Sequence, residues 1–150
     1  MLSGFGPQVF FLQLPLELAP SLNVFARMPW FKRHEMHATV DGFVRSAMSF
    51  WPQWHAGFEL EAYVKKTKKG TRPAVRRKGG RRRGVVVTRN SVRPVDEISV
   101  DILGGKLPLD RLVQAGVLRD DNAKWCERRP QWVPAHPKQG FLTVAVYELG

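Results

Sequence analysis

Almost all of the excess positive charge in this chain lies in one segment, which divides the sequence. The chain has 150 residues, with 24 Lys and Arg against 13 Asp and Glu and a net charge of +11. Eleven of the basic residues, and no acidic one, fall between Lys65 and Arg83. The rest of the chain is neutral, with 13 basic and 13 acidic residues. A segment that consists of like charges, three Gly and few apolar side chains does not form a hydrophobic core. We therefore expect a long, mobile hairpin loop at 65–83.

The remaining composition is that of one globular domain covering residues 1–150. The chain is 43% apolar, which is enough to bury a core at this length. The single Cys126 cannot form an internal disulfide, and Gln8, Gln13 and Pro15 interrupt the apolar N-terminus before it reaches the length of a membrane span. Zinc-ligand spacing, a Gly-rich phosphate loop and a Gly-x-Ser-x-Gly motif are all absent from the sequence. We expect a cytoplasmic protein without a membrane anchor.

The hydrophobic pattern predicts secondary structure in the order β-α-β-β-α-β. Alternating or continuous apolar runs predict four strands and a weaker fifth, while three- and four-residue spacing predicts two helices. The strands are expected at Val9–Leu16, Phe58–Val64, Val85–Thr88 and Phe141–Tyr147, with the weaker one near 123–127, a turn at Ala19–Asn23, and helices at His34–Trp51 and about 107–115. This order predicts an α+β fold in which helices cover a mixed sheet.

The scarce acidic residues crowd into one part of the chain. Six of the thirteen lie within 26 positions: Asp96, Glu97, Asp101, Asp110, Asp120 and Asp121. Carboxylates gathered in one pocket repel each other unless a cation lies between them. Oxygen ligands without imidazole or thiolate favour Mg²⁺ or Mn²⁺ over zinc. Mg²⁺ beside a basic surface suits phosphodiester hydrolysis, in which Lys106 could donate to the scissile phosphate or to a metal-bound water.

The same carboxylates also have ordinary structural explanations. Asp96 could cap the N-terminus of a helix, and Asp120 could cap a turn. Asp110 and Lys106 could form an exposed ion pair one helical turn apart.

Nucleic acid is the expected partner of the basic segment. Uncompensated cations repel one another, and a bound polyanion relieves that repulsion. The affinity for the polyanion then depends strongly on the salt concentration. An amphipathic apolar face, which a membrane surface would require, does not accompany the run. The expected contacts follow the phosphate backbone by charge: Lys65, Lys66, Lys68, Lys69, Arg72, Arg76, Arg77, Lys78, Arg81, Arg82 and Arg83.

One stretch, LDRLVQAGVLRDD at Leu109–Asp121, closely resembles the RusA-like family of Holliday junction resolvases. Members of that family have a helix that ends in an Ala-Gly-hydrophobic stretch followed by Asp-Asp. Shorter similarities occur along most of the chain in the same β-α-β-β-α-β order. They are Leu14-Pro15 with the Pro-Ser-Leu-Asn turn at 20–23, Val87-Thr88-Arg89 with Arg93, and Gly-Phe-Leu-Thr-Val at 140–144.

The resemblance implies a homodimer that binds four-way DNA junctions and makes paired nicks with Mg²⁺. Asp121 matches the second Asp of the family's pair, a metal ligand, and Lys106 matches its helical lysine. The family has Asp-x-Asp-Asn-Leu before that lysine. Here the candidates are Asp96 and Asp101, with Glu97 in reserve, at a longer spacing and without the Asn.

The predicted site is therefore as follows. Asp96, Asp101 and Asp121 bind Mg²⁺, or Mn²⁺, with Asp120 adjacent and Lys106 assisting at the phosphate. Arg89 and Arg93 join the DNA contacts. A nucleic-acid-binding module of the same fold without catalysis is the alternative, and a basic protein that binds acidic proteins is a third hypothesis.

Overall fold

The structure, a computed structural model, describes residues 4–20, 22–96, 100 and 106–149, without the side chains of residues 22 and 23. Within these ranges the helices are α1 Leu22–Arg27, α2 Trp30–Met48 and α3 Lys106–Ala115, and a short 3-10 turn spans Leu16–Leu18. The strands are β1 Phe5–Pro15, β2 Glu59–Thr67, β3 Gly70–Lys78, β4 Arg83–Ser91, β5 Cys126–Pro134 and β6 Phe141–Leu149.

Four of the strands form a mixed sheet in the order β1-β6-β4-β5. Strand β6 is antiparallel to both β1 and β4, whereas β5 is parallel to β4. Parallel neighbours need a crossover connection. Here the chain between β4 and β5 contains α3, so the sheet determines where α3 and the turn after it lie.

The core lies between this sheet and the helices. Strand β4 supplies Val85 and Val87, which are completely buried, and it lies between two neighbouring strands. Helix α2 buries Val40 and Val44, one helical turn apart, and packs against β1 and α3. Helix α3 buries Leu112 in the same cluster. One helix face is thus apolar on each, as expected for helices that cover a sheet.

The α+β class and the mixed sheet are confirmed, but the predicted element order is incomplete. Strands were expected at Val9–Leu16, Val85–Thr88 and Phe141–Tyr147, and each is present and longer than predicted. The weak strand expected near 123–127 is β5, which continues to Pro134. Helix α1 begins at Leu22, inside the predicted turn, and α2 begins and ends earlier than the predicted helix.

The segment expected to be a long, mobile hairpin loop at 65–83 is a hairpin, but most of it is regular strand. Strands β2 and β3 pair antiparallel from Glu59 opposite Lys78 to Thr67 opposite Gly70, and Lys68 and Lys69 form the turn. The prediction from the basic run did not take into account the acidic residues of the preceding strand, β2. Glu61 lies opposite Arg76 in the register, so cross-strand attraction offsets part of the repulsion.

This hairpin stands apart from the main sheet. In the described part of the chain, β2 and β3 pair with each other alone. No helix among the described residues is long and apolar enough to cross a membrane.

Candidate functional site

The hairpin carries five exposed cations around its turn: Lys65, Lys66, Lys68, Lys69 and Arg72, called the tip cations below. Lys65 and Arg72 lie directly opposite each other in the register. None of the five side chains forms an ion pair with a residue that the structure describes. Like charges held opposite each other repel, so this end of the hairpin is a surface that favours a polyanion.

Closer to the domain, the hairpin cations share a carboxylate. Arg76 Nη2 lies 2.6 Å from Glu61 Oε1, and Lys78 Nζ lies 3.5 Å from Glu61 Oε2. The Arg76 guanidinium also lies over the Tyr63 ring, 4.8 Å from its centroid. These contacts hold the pKa of the Glu61 carboxyl below its usual range, mainly through the hydrogen bond from Arg76. Both cations stay exposed, but part of their charge is compensated.

Arg83 is not an accessible cation. Its side chain is 0% exposed, and its Nη1 and Nη2 donate to the carbonyl oxygens of Trp54, at 3.0 Å, and His55, at 2.7 Å. Glu148 lies 3.1 Å away and supplies the counter-charge. Burial lowers the pKa of this guanidinium, and Glu148 opposes that shift. The prediction that Arg83 contacts DNA is corrected by this placement, because Arg83 holds the loop after α2 against the sheet.

The other arginines predicted to contact DNA have mixed roles. Arg82 is exposed and its Nε donates to the carbonyl of Lys124 at 2.8 Å, while Arg81 lies 3.5 Å from Glu148. Arg89 is half-buried and donates to the carbonyl of Ala19 at 3.4 Å. Arg93 is exposed on the segment after β4.

Arg77 turns from the hairpin toward the end of α3. Its Nη2 donates to the carbonyl of Val113 at 2.6 Å, and its Nη1 donates to the carbonyls of Leu118 and Arg119, both at 3.1 Å. The carbonyls at a helix C-terminus have no partner within the helix, and a guanidinium can satisfy them. Arg77 therefore binds the hairpin to the domain instead of presenting its charge to solvent.

Two carboxylates, one in α3 and one after it, interact through their charges. Asp110 is half-buried within α3, and Asp121 follows the turn after it. Burial raises the pKa of the Asp110 carboxyl, Lys106 opposes the shift, and the charge of Asp121 raises it further. The two carboxylates are therefore within electrostatic reach of each other, with Lys106 beside them. We call them the Asp110–Asp121 pair.

Residues of helix α2 contact Arg111, the neighbour of Asp110. Arg111 Nε donates to Asp41 Oδ1 at 2.8 Å, and Arg111 Nη1 lies 3.5 Å from His37 Nδ1. Burial lowers the pKa of His37 and the Arg111 charge lowers it further, while Asp41 opposes this. The charge of His37 also acts on Asp110. Asp110 thus lies where α3 faces the charged residues of α2.

Asp120 has a local structural role. Its Oδ1 accepts from the backbone N–H of Asp121 at 2.7 Å, and its Oδ2 accepts from Asn122 Nδ2 at 3.1 Å. This is the turn-capping role that the sequence left open, and it fixes the backbone that carries Asp121.

Of the residues predicted for the metal site, Asp121 and Lys106 both have charges that act on Asp110. Asp96 is exposed, and its carbonyl accepts from the N–H of Val100 at 3.0 Å. Asp101 and Glu97 lie outside the described residues. Among the residues that are described, no three His, Cys, Asp or Glu form a group suited to a metal ion.

The chemistry of the pair fits a hard divalent cation. Both donors are carboxylate oxygens, which Mg²⁺ and Mn²⁺ prefer. The charge of Asp121 helps to keep the Asp110 pKa high, and a cation between the two would relieve that repulsion. Asp110 was absent from the predicted ligands. Its position four residues after Lys106, within the acidic cluster, was the available signal, and an exposed ion pair with Lys106 was one explanation that the sequence left open.

Comparisons with models of protein families, with curated proteins and with solved structures found no significant match to this chain.

Proposed function

We propose that this protein is a Mg²⁺-dependent endonuclease of the RusA-like type that nicks four-way or other branched DNA. The observation that carries the proposal is one arrangement. Asp110 lies within α3 and the charge of Asp121 acts on it, while Arg77 binds the cationic hairpin to the C-terminal end of the same helix. A phosphate-binding surface and a cation-binding pair are thus joined through one element. Phosphodiester hydrolysis needs both.

The residues divide into binding and chemical roles. The tip cations bind the phosphate backbone by charge, without reading bases. Asp110 and Asp121 hold Mg²⁺, together with Asp96 and Asp101 from the sequence motif. The metal, when bound, activates a water and neutralises charge on the phosphate oxygens. Lys106 is exposed at the start of α3, where it can donate to a phosphate oxygen. Two copies of the chain would supply the two cuts that a four-way junction requires.

A nucleic-acid-binding module without catalysis is the second candidate. The observation in its favour is the absence of a three-ligand group in the described part of the chain. Asp120, one of the predicted ligands, is also engaged in its turn through both oxygens. Under this alternative the hairpin binds DNA and the carboxylates only stabilise the end of α3.

Cleavage of an end-labelled four-way DNA junction distinguishes the two candidates. We expect paired nicks that require Mg²⁺ or Mn²⁺, and little cleavage of linear duplex. Asp121→Asn removes one carboxylate of the pair and should lower the cleavage rate by about a hundredfold or more, since a misplaced metal-bound group costs that much. Binding of the junction should stay the same or become tighter.

Glu35→Gln is the matched control, because it removes one exposed carboxylate on α2. It should leave both cleavage and binding unchanged. Tight, salt-sensitive binding without cleavage by the wild type in either metal would favour the binding module.

A further inference from the structure

We propose that Arg77 and Arg119 form a clamp through which nucleic acid bound at the hairpin tip positions Asp121. The inference rests on the proposed function, since it needs DNA at the tip cations and a role for Asp121. It assigns Arg77 and Arg119 as positioning residues, which act on the site through the backbone and touch neither substrate nor metal.

The first half of the clamp runs from the hairpin to the domain. The Arg77 guanidinium, on β3, donates to three carbonyls at and beyond the end of α3: Val113 at 2.6 Å, and Leu118 and Arg119 at 3.1 Å. The Phe58 ring covers the other side of the guanidinium, 4.2 Å from its centroid. A planar guanidinium that is held by several contacts transmits a displacement of the strand better than a single flexible contact does.

The second half runs in the opposite direction. Arg119 Nη2 donates to the carbonyl of Arg77 at 2.6 Å, and Arg119 Nε donates to the carbonyl of Gly79 at 2.8 Å. Each arginine thus binds the backbone of the other. A change in the position of β3 must therefore move Arg119 or break charged hydrogen bonds.

From Arg119 the path to the carboxylate pair is two residues long. Asp120 follows Arg119, and its carboxylate accepts the backbone N–H of Asp121 at 2.7 Å. The Asp120 charge also acts on Arg77, so this turn lies close to the clamp. Asp121 cannot shift independently of Arg119 while that turn is intact.

The rest of the hairpin offers little other route to the domain. Leu60, Val64 and Val75 share a face of the hairpin with Arg77 and are 71%, 67% and 63% exposed, so beyond Arg77 this face does not pack against the domain. The hairpin also forms no strand pair with the main sheet in the described part of the chain. Force applied at the tip therefore reaches the domain at the base of the hairpin, where the clamp lies.

The test compares Arg77→Lys with Arg45→Lys in the full chain. Both variants keep the charge and remove one guanidinium, but Arg45 is exposed on α2, away from the hairpin, whereas Arg77 is in the clamp. Three quantities are measured: the affinity for a labelled four-way junction without metal, amide hydrogen exchange at 119–121 with and without that DNA, and kcat and KM for Mg²⁺-dependent cleavage.

In the wild type and in Arg45→Lys, we expect DNA to slow exchange at 119–121. In Arg77→Lys, exchange there without DNA should rise about tenfold, the effect of losing a charged hydrogen bond, and DNA should no longer change it. DNA affinity and KM should stay within about twofold, while kcat falls about tenfold to a hundredfold through misplacement of Asp121. A merely structural role would not separate kcat from KM in this way.

The clamp is overturned if DNA leaves exchange at 119–121 unchanged in the wild type, or changes it equally in Arg77→Lys. If the wild type shows the exchange response but never cleaves, the coupling stands and the proposed nuclease activity fails. If the wild type cleaves and Arg77→Lys cleaves equally well, the nuclease proposal stands and the coupling fails. Should Arg77→Lys fail to fold, Arg119→Lys decides by the same exchange measurement, because it removes the reciprocal bonds.

Discussion

Residues of one type have different roles in this protein because their surroundings differ. Arg72 is an exposed cation, Arg77 satisfies the carbonyls at a helix end, and Arg83 is buried against three backbone carbonyls and Glu148. All three belong to the same basic run. A guanidinium can serve each purpose since it has five donors in a fixed plane, and the nearest acceptors decide which purpose it serves.

The carboxylate pair gives a prediction about the dependence of stability on pH. The pKa of Asp110 is raised. At pH values between the ordinary carboxyl pKa and the raised one, the folded state therefore keeps a proton that the unfolded state has lost. Without divalent metal, the free energy of unfolding should therefore fall as pH rises from about 4, the ordinary carboxyl range, through the raised pKa. Asp110→Asn should lack this component and be the more stable protein at neutral pH. Urea unfolding over a pH series in chelator measures both.

Glu35→Gln serves as the control, because Glu35 is exposed on α2. Its pH profile should follow that of the wild type. Mg²⁺ should restore stability at neutral pH in the wild type and not in Asp110→Asn. Superimposable profiles for Asp110→Asn and the wild type would contradict the assignment of the pair.

Among the helices and strands, α3 matters most, because one of its sides carries a carboxylate of the pair and its C-terminal end binds the hairpin. Its side carries Asp110, and its end receives Arg77. The helix ends at Ala115; the next residue, Gly116, has a φ of +91°, and the N–H of Val117 donates to the carbonyl of Leu112 at 3.0 Å. A glycine in the left-handed region lets the chain turn toward Asp120 and Asp121.

Replacing the glycine at the end of α3 should destabilise the domain. A Cβ at position 116 would require the left-handed conformation and would lie 3.3 Å from His55 Cδ2. We expect Gly116→Ala to lower the free energy of unfolding by about 1–2 kcal/mol. Thermal or urea unfolding gives the value.

Gly42→Ala is the matched comparison within α2. Its added Cβ would meet nothing within 4 Å, and the position lies inside the helix. That substitution should stabilise the protein by about 0.5–1 kcal/mol, the difference between Ala and Gly in a helix. Equal effects of the two substitutions would show that the end of α3 does not need its glycine.

In the molecule as a whole, the tip cations and the Asp110–Asp121 pair lie in different places and are connected at the base of the hairpin. The tip cations lie at the far end of a hairpin that stands apart from the main sheet, whereas Asp110 is in α3 and Asp121 follows it. Under the proposed function, the tip binds backbone phosphates away from the carboxylates, which would repel them in the absence of a metal. The clamp at the base of the hairpin joins the two parts.

Neutralising the tip should change the salt dependence of DNA binding. The triple variant Lys65→Gln, Lys68→Gln, Arg72→Gln removes up to three phosphate contacts. The slope of log K against log salt concentration should then be shallower by up to about 3 units, since each neutralised phosphate contributes about 0.9. Fluorescence anisotropy with labelled duplex over a salt series measures the slope.

The control removes three exposed cations from α1 and α2, by the changes Arg27→Gln, Lys32→Gln and Arg45→Gln. It makes the same change in net charge away from the hairpin, and its slope should match that of the wild type. If both triple variants changed the slope equally, net charge rather than the tip would govern binding.

The sequence by itself was enough to predict those features that depend on local patterns. The apolar runs predicted β1, β4 and β6, the three- and four-residue spacing predicted α2, and Gly116 marked the end of α3. These predictions held because periodicity decides which face of a strand or helix can be buried, whatever surrounds it. The clustering of acidic residues likewise pointed to the region of the carboxylate pair.

Only the tertiary structure decided which residues of similar chemistry meet. It paired a basic run with β2 to form a hairpin, because Glu61 opposite Arg76 supplies the missing counter-charge. It placed Asp110 within electrostatic reach of Asp121, and it turned Arg77 toward the end of α3 and Arg83 into the interior. Such contacts join residues distant in sequence through the sheet order and the crossover of α3. A local pattern holds no information about them, since the partner of a charge is set by the fold of the whole chain.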